Sequence, residues 1–424
     1  MMLNLASLLS DPLPPGTKGL PSLAPDFTVG QIPAQGWRLL MGDVPLPAAV
    51  LRRSSLDRNI ELMQRYLAVS GMQLAPHGKT TMCPQLFERQ LLAGAWGITV
   101  ANVQQLALCH AVGVPRVLIA NEVVGAAELD VFAGLSAKAS GSAYYLLLDS
   151  VQGAHQLQAA MVARPDAPPA RVLIDVGFVG GRCGVRSLAE GLEVADELRG
   201  LDRLRLVGVA GYEGLLANAS AVDVYLDTIV GLLTILRADG RFADPDQILL
   251  SAGGSAYFDL VARLFGGEAG RGIVPILRSG CYLTHDDGLY NRLLRDVAAR
   301  GEAPCLEPAL EVWTRVLSRP EPGMLILSAG KRDLSHDIEL PIMRNWYRMG
   351  LHSIPQPTGG WRIVKLSDQH AHVQADVPET ATPLQVGDMV ALGISHPCTT
   401  FDKWRLLLEV DDEYCVVGGL RTFF

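Results

Sequence analysis

Four short motifs carry residue types that could do chemistry together. Pro76-His77-Gly78-Lys79-Thr80 puts a lysine directly after an apolar run, where its amine can attack a carbonyl. In an ordinary loop the same lysine is only a solvated charge, and position alone leaves both readings open. In Gly180-Gly181-Arg182-Cys183-Gly184 glycines flank an arginine. Backbone can then approach a ligand closely while the guanidinium engages an oxyanion. Ser251-Ala252-Gly253-Gly254-Ser255 precedes a helical stretch, 256–265, and suits an anion through free N–H groups and the helix dipole. A plain glycine turn with a serine cap has the same letters. Ser395-His396-Pro397-Cys398 sets an imidazole and a thiol at i and i+2, on one side of an extended segment, where both can bind one ion.

Imidazole with thiolate favours zinc over magnesium, calcium or manganese. Two protein ligands leave open positions for a water or a substrate oxygen. His370 and His372 form a competing pair with nothing else reactive around them. His110 falls within a helical pattern and reads as structural, and Cys183 as packing. Trp313, Trp346 and Trp404 fit a pocket wall or a small core equally well. A nucleophilic lysine at one end and a phosphate cradle at the other describe a pyridoxal phosphate site.

These motifs need a scaffold that gathers them. Between 72 and 280 eight apolar runs recur: 72–75, 97–101, 116–120, 143–149, 171–176, 204–210, 247–251 and 273–277. Amphipathic stretches separate them. Leu56, Ile60, Met63 and Leu67 fall on one helical face, Ser54 or Ser55 offers a cap, and Gly71 a stop. Pro84 suits a first helical turn and Asn102 an N-cap. Apolar strands alternating with helices imply parallel strands covered by helices, and eight units are the arithmetic of a (β/α)8 barrel. An open doubly wound sheet is the alternative. The barrel is preferred because unusual residues follow nearly every strand, Gly211-Tyr212-Glu213-Gly214 and Ser279-Gly280-Cys281-Tyr282 included, and closure brings those ends together. Beyond Tyr282 short strands are expected at 311–318, 324–327, 361–366, 371–375, 389–393, 406–410 and 414–417, a second, all-β domain. The expected division is an N-terminal extension at 1–45 draped over the domains, a barrel at 46–282 and a β-domain at 283–424.

The chain has 424 residues, 49% hydrophobic and 19% charged, which rules out global disorder. A net charge of −8 argues against a nucleic-acid partner. No uninterrupted apolar run reaches the roughly 20 residues of a membrane span, and Met1–Ser10 lacks the basic start of a signal peptide. Seven scattered cysteines without a Cys-x-x-Cys suggest a reducing, cytoplasmic setting.

Taken in order and spacing, these segments resemble the D-serine dehydratase/D-threonine aldolase family, from about residue 45 to the C-terminus. The likeness runs through Ala75–Thr80, Gly97–Ala101, Asp175–Gly177, Arg182–Val185, Ser251–Ser255, Gly280–Tyr282 and His396–Cys398. The resemblance implies pyridoxal 5'-phosphate on an alanine-racemase-like barrel, with Lys79 as the Schiff-base lysine and His77 among the cofactor residues. It implies Arg182 near the cofactor ring, and Tyr212, Gly253, Gly254, Ser255 and Tyr282 near its phosphate. It makes His396 and Cys398 the metal pair, for zinc ahead of manganese or magnesium. Family aldolases typically carry aspartate where Cys398 stands, so the cysteine points to the zinc-dependent D-serine dehydratases. Gly78 replaces a bulkier residue common in the family and is expected to enlarge the pocket. The expected activity is loss of water from a D-3-hydroxy amino acid such as D-serine or D-threonine, in a homodimer. Retro-aldol cleavage to glycine and an aldehyde is the first alternative, a non-catalytic cofactor carrier the second, and a racemase, which needs no metal, a weaker third.

Overall fold

The computed structural model describes residues 2–21, 26–301 and 303–424. All eight expected runs are strands: β2 (Gln73–Leu74), β3 (Ile98–Val100), β4 (Arg116–Glu122), β5 (Ala143–Leu148), β6 (Ala170–Val176), β7 (Leu204–Gly211), β8 (Ile248–Ala252) and β9 (Ile273–Leu277). They form one parallel sheet in the order β2-β9-β8-β7-β6-β5-β4-β3. The seam between β2 and β3 is closed by single contacts instead of a ladder. Trp96 donates to the Leu74 carbonyl (2.7 Å), Thr99 donates to the Pro76 carbonyl (3.0 Å), and His77 bridges Thr99.

Alternation along the strands explains why this sheet curls into a barrel. Ala75, Leu118, Leu147, Leu173, Ala210, Leu249 and Ile276 meet in one interior cluster. Their neighbours Ile98, Val117, Leu146, Val172, Val209, Ile248 and Leu277 pack outward into the larger core. Helices cover the outside. Asn102, Ser150, Ser187 and Asn218 each accept the N–H three residues on, which sets the four helix starts. The helix Arg53–Ser70 has no side-chain cap, because it starts ahead of the expected serines with Arg52 at the N-cap, and Ser54, already inside it, bonds Asp412 in the C-terminal part (2.6 Å). The helix Ala219–Ala238 matches a membrane span in length and hydropathy, yet Val222, Leu226, Ile229, Leu233 and Leu236 are buried within this protein.

The C-terminal part builds a ten-stranded sheet. Strands β10 (Leu310–Ser318), β11 (Met324–Leu327), β14 (Trp361–Leu366), β15 (Ala371–Ala375), β16 (Met389–Gly393) and β17 (Leu406–Val410) stand where alternation placed them. Two were missed, β12 (Ile342–Tyr347) and the short β13 (Gln356–Pro357), and β18 runs Val416–Arg421, later than expected. Two departures blur the division at 46 and 283. Strand β1 (Ala48–Arg52) lies in this second sheet, antiparallel to β10 and parallel to β17, so the chain crosses into the barrel at Arg53. Its partners lie more than 250 residues away, which a local pattern cannot reveal. A helix, Leu289–Arg300, follows the last barrel strand, so the C-terminal part is not purely β.

The N-terminal segment touches both parts. The Leu3 N–H donates to Glu88 (2.7 Å) and Asn4 to the Val112 carbonyl (2.9 Å), while Leu39 donates to Tyr414 (3.0 Å) and Val29 and Ile32 join the β-domain core. Glu409 on β17 joins the two parts. Its carboxylate is 2% exposed and accepts from Arg53 (3.0 and 3.1 Å) and Arg89 (2.8 Å), both on barrel helices. Burial alone would raise its pKa, but the two guanidinium groups outweigh that and hold it below the ordinary glutamate value. A depressed pKa contributes stability above the unfolded value of about 4.3 that is lost as pH falls through the folded one. Glu409→Gln is expected to lower unfolding free energy by roughly 1.5–3 kcal/mol at pH 7. Denaturant melts of both proteins, repeated below about pH 4, should show the gap narrowing.

Candidate active site

The loops after the barrel strands and one turn of the β-domain enclose a cavity of about 370 Å3. Of the expected site residues, His77, Lys79, Arg182, Tyr212, Gly253, Gly254, Ser255, His396 and Cys398 line it. Tyr282 does not. It is buried outside the cavity, and its hydroxyl accepts from Gln90 (3.0 Å) behind the barrel wall. Tyr290, from the helix that sequence reasoning missed, lines the cavity instead.

Lys79 sits in the single turn Gly78–Thr80, with its side chain exposed to the cavity. His77 precedes it, with a buried Nδ1 that has no protein partner. Burial, and then the charges of Lys79, Arg278 and Arg182, hold its pKa well below that of a free histidine, so the imidazole is neutral. Gly78 does not enlarge the pocket. A Cβ there would lie 2.9 Å from both Ile98 and Phe87, which fill that space from the core side.

The glycine loop is wired differently from the expected open cradle. Gly253, at φ +105°, and Gly254 donate their N–H groups to Glu213 (2.9 and 2.8 Å), whose carboxylate is fully buried. The helix begins only at Phe258. The N–H groups of Ser255 and Ala256 are bound neither by Glu213 nor by backbone. Arg278, directly after β9, donates to Ser251 (2.9 Å) and to the Gly211 carbonyl (2.6 Å), tying three loops together. It was not singled out in sequence, although it precedes the quoted Ser279–Tyr282, and Glu213 stands inside the quoted Gly211–Gly214 but was given no role. Asp175 stands on the same wall, its pKa pushed up to about 8 by burial first and then by Glu122. Arg182 lies over the Tyr212 ring at 4.7 Å.

His396 and Cys398 meet, but not on a strand as expected. His396 is the extended N-cap residue of the short helix Pro397–Phe401, and Cys398 lies in its first turn. The His396 Nδ1 bonds Asp337 (2.6 Å), which also accepts from Thr399 (2.8 Å). Burial would raise the Asp337 pKa, and these two bonds hold it lower. Hydrogen bonding to Cys398, ahead of Asp337, raises His396 to about 9. The Cys398 thiol lies 3.7 Å from Cys281 and 3.5 Å from Thr80. A hydrogen bond from Cys281, then one from His396, favours its thiolate, while Cys281 is pushed up in turn. Among the described residues no three His, Cys, Asp or Glu side chains form a closed metal centre, so the donors meet only in pairs.

The other candidates lie elsewhere. His372 bonds Ser367 (3.1 Å) on β15, and His110 bonds Tyr144 (2.7 Å) on a barrel helix. Trp313, Trp346 and Trp404 are core residues. Cys183 is exposed at the cavity rim, not packed.

The residues present fit pyridoxal phosphate: an amine, an orphaned imidazole nitrogen, a buried arginine and free N–H groups ahead of a helix surround one cavity. An imidazole oriented by a carboxylate beside a thiol fits a soft divalent ion. A barrel with a β-domain over such a mouth is the alanine-racemase-like class of cofactor fold.

Comparison with known proteins agrees. The family model "Putative serine dehydratase domain" matches residues 309–410. D-threonine aldolase of Arthrobacter sp. is 28% identical over 377 residues, covering 87% of this chain and 90% of that protein. D-threo-3-hydroxyaspartate dehydratase of Delftia sp. strain HT23 is 27% identical over 301 residues, 69% of this chain and 73% of that protein. Its solved structure covers 91% of this chain and 99% of its own, at TM-score 0.72 and 22% identity. The structure of D-threonine aldolase from Filomicrobium marinum reaches TM-score 0.74 at 23% identity, covering 92% and 98%. Histidine-to-alanine and cysteine-to-alanine variants of D-threo-3-hydroxyaspartate dehydratase, two positions apart, have also been solved, the latter metal-free. Over most of its length the chain is similar to aldolases and a dehydratase of D-3-hydroxy amino acids, and its fold is that of the alanine-racemase-like barrel with a β-domain.

The space at Gly78 supplies a direct check. Gly78→Val is expected to cost about 1–3 kcal/mol through overpacking against Phe87 and Ile98. A thermal melt that leaves the transition unchanged would contradict that packing.

Proposed function

We propose that this protein is a zinc-assisted, pyridoxal phosphate-dependent dehydratase of D-3-hydroxy amino acids such as D-serine or D-threonine, releasing a 2-oxo acid and ammonia. The observation that carries the reading is that Lys79 and the His396–Cys398 pair line one cavity. When bound, the cofactor supplies an electron sink for charge on the α-carbon, and the ion a Lewis acid for the departing β-hydroxyl.

The chain's own residues supply the rest. Lys79 Nζ is the base that takes the α-proton. Neutral His77 adds no competing cation beside it. Arg278 and Glu213 fix the loops after β7, β8 and β9. Asp337 holds the His396 ring by Nδ1, which leaves Nε2 free to serve as a ligand. Loss of water and hydrolysis of the resulting enamine balance as D-serine giving pyruvate and ammonia.

Support for dehydration over cleavage comes from Cys398, since D-threo-3-hydroxyaspartate dehydratase has a histidine and a cysteine at the same spacing, each replaced in a solved variant. The Arthrobacter relative favours a second reading, retro-aldol cleavage at the same site. Seven free cysteines fit a cytoplasmic setting, and family resemblance supports a homodimer as part of the same proposal.

A turnover panel of D-serine, D-threonine and D-3-hydroxyaspartate decides between the readings. The expected products are 2-oxo acid and ammonia in equal amounts, abolished by Lys79→Ala and by chelator. Glycine and an aldehyde from D-threonine, without 2-oxobutanoate, would overturn the dehydratase reading. Activity that survives chelator would overturn the role of the metal.

A further inference from the structure

We propose that Cys281 is a third protein ligand of the metal ion, so that the ion joins the barrel to the β-domain through a His-Cys-Cys set with one open position. The proposal rests on the metal reading of His396 and Cys398 given above and takes it one residue further.

The two sulfurs come from different parts of the fold. Cys281 opens the turn Cys281–Leu283 directly after β9, and Cys398 lies in the helix Pro397–Phe401 of the β-domain. Their Sγ atoms are 3.7 Å apart. Two thiolates on a tetrahedral zinc, each about 2.3 Å from the ion, stand about 3.8 Å from one another. The observed separation is therefore that of a tetrahedron edge, well beyond the roughly 2.05 Å of a disulfide.

The remaining groups agree with this geometry. His396 has one ring nitrogen engaged by Asp337 and lines the same cavity as Cys398, the arrangement of a ligand steadied by an outer carboxylate. Thr80 Oγ1 touches both sulfurs, at 3.5 and 3.7 Å, on the side of Lys79. Cys281, Cys398 and His396 all line the cavity, so the fourth position opens toward the substrate space. The ion would close three donors that now meet in pairs. Three protein ligands with one open position are the arrangement of catalytic zinc, and Cys2His is one of its forms. Two thiolates and a neutral imidazole cancel the charge of the ion and select zinc over manganese or magnesium.

A different role for Cys281 is that of a plain hydrogen-bond donor to the Cys398 sulfur. A serine hydroxyl can donate that bond but cannot replace a soft ligand, so Cys281→Ser separates the roles, with Cys281→Ala as a second variant should the serine fold poorly. The experiment is zinc-edge X-ray absorption on full-length, cofactor-saturated protein loaded with one zinc, together with zinc competition against a chromophoric chelator. The expected result is two sulfurs at about 2.3 Å in the native protein and one in either variant. Zinc affinity should fall at least about tenfold, no less than for loss of an outer-shell partner. One sulfur in the native protein, with unchanged affinity in both variants, would overturn the role of Cys281 while leaving His396 and Cys398 as ligands. No sulfur around the zinc would overturn the metal reading itself, and this proposal with it.

Discussion

The site depends on one contact between the two halves of the chain. The short helix Pro397–Phe401 seats Cys398 against Thr80 and Cys281, one residue from Lys79 and at the end of the last barrel strand. Without it, the barrel keeps an amine and a glycine loop, and the β-domain keeps an imidazole and a thiol, but the two sets no longer line one cavity. Several unrelated features serve the same seating. Strand β1 threads the β-domain before the barrel begins, and Glu409 clamps Arg53 and Arg89. The Asp287 N–H, just past the barrel, donates to the Ile394 carbonyl (2.9 Å), two residues before His396.

Charge is distributed around the cavity to match. Arg278 and Glu213 are both buried, and each satisfies its neighbour loops before any ligand arrives. A cation and an anion buried at the barrel mouth would be costly alone, but here each carries hydrogen bonds from or to the loops it positions. On the acidic wall burial is the first cause that raises both carboxyls, followed by the charge of Asp149 for Glu122 and of Glu122 for Asp175. His77 stays neutral because burial, and then the charges of Lys79, Arg278 and Arg182, lower its pKa.

Much of the fold was legible in the sequence because buried parallel strands read as apolar runs, and the helix start at Asn102 read as a cap, whereas the serine cap expected at Ser54 or Ser55 did not form. The strand β1 was not, since AAVLR next to a helix looks like a barrel lead-in until its partners across the chain are known. The site was legible wherever a reactive residue follows a strand directly, as Lys79 does. It failed where the deciding fact is a partner in space. Gly253 and Gly254 read as an open cradle because Glu213 lies 40 positions upstream. The resemblance placed Tyr282 near the cofactor phosphate, yet the turn Cys281–Leu283 rotates it outward to Gln90. Gly78 read as extra space because sequence does not show Phe87 and Ile98 already filling it.

The division of labour across the cavity is tested most directly by following the α-hydrogen separately from the hydroxyl. Metal-free, cofactor-loaded enzyme would be incubated with D-serine in deuterium oxide, with exchange at the α-carbon read by NMR and ammonia by a coupled assay. If Lys79 moves the proton and the ion serves only the departing oxygen, α-exchange continues while ammonia release stops, and zinc restores the second. Ammonia release at an undiminished rate without metal would contradict that division.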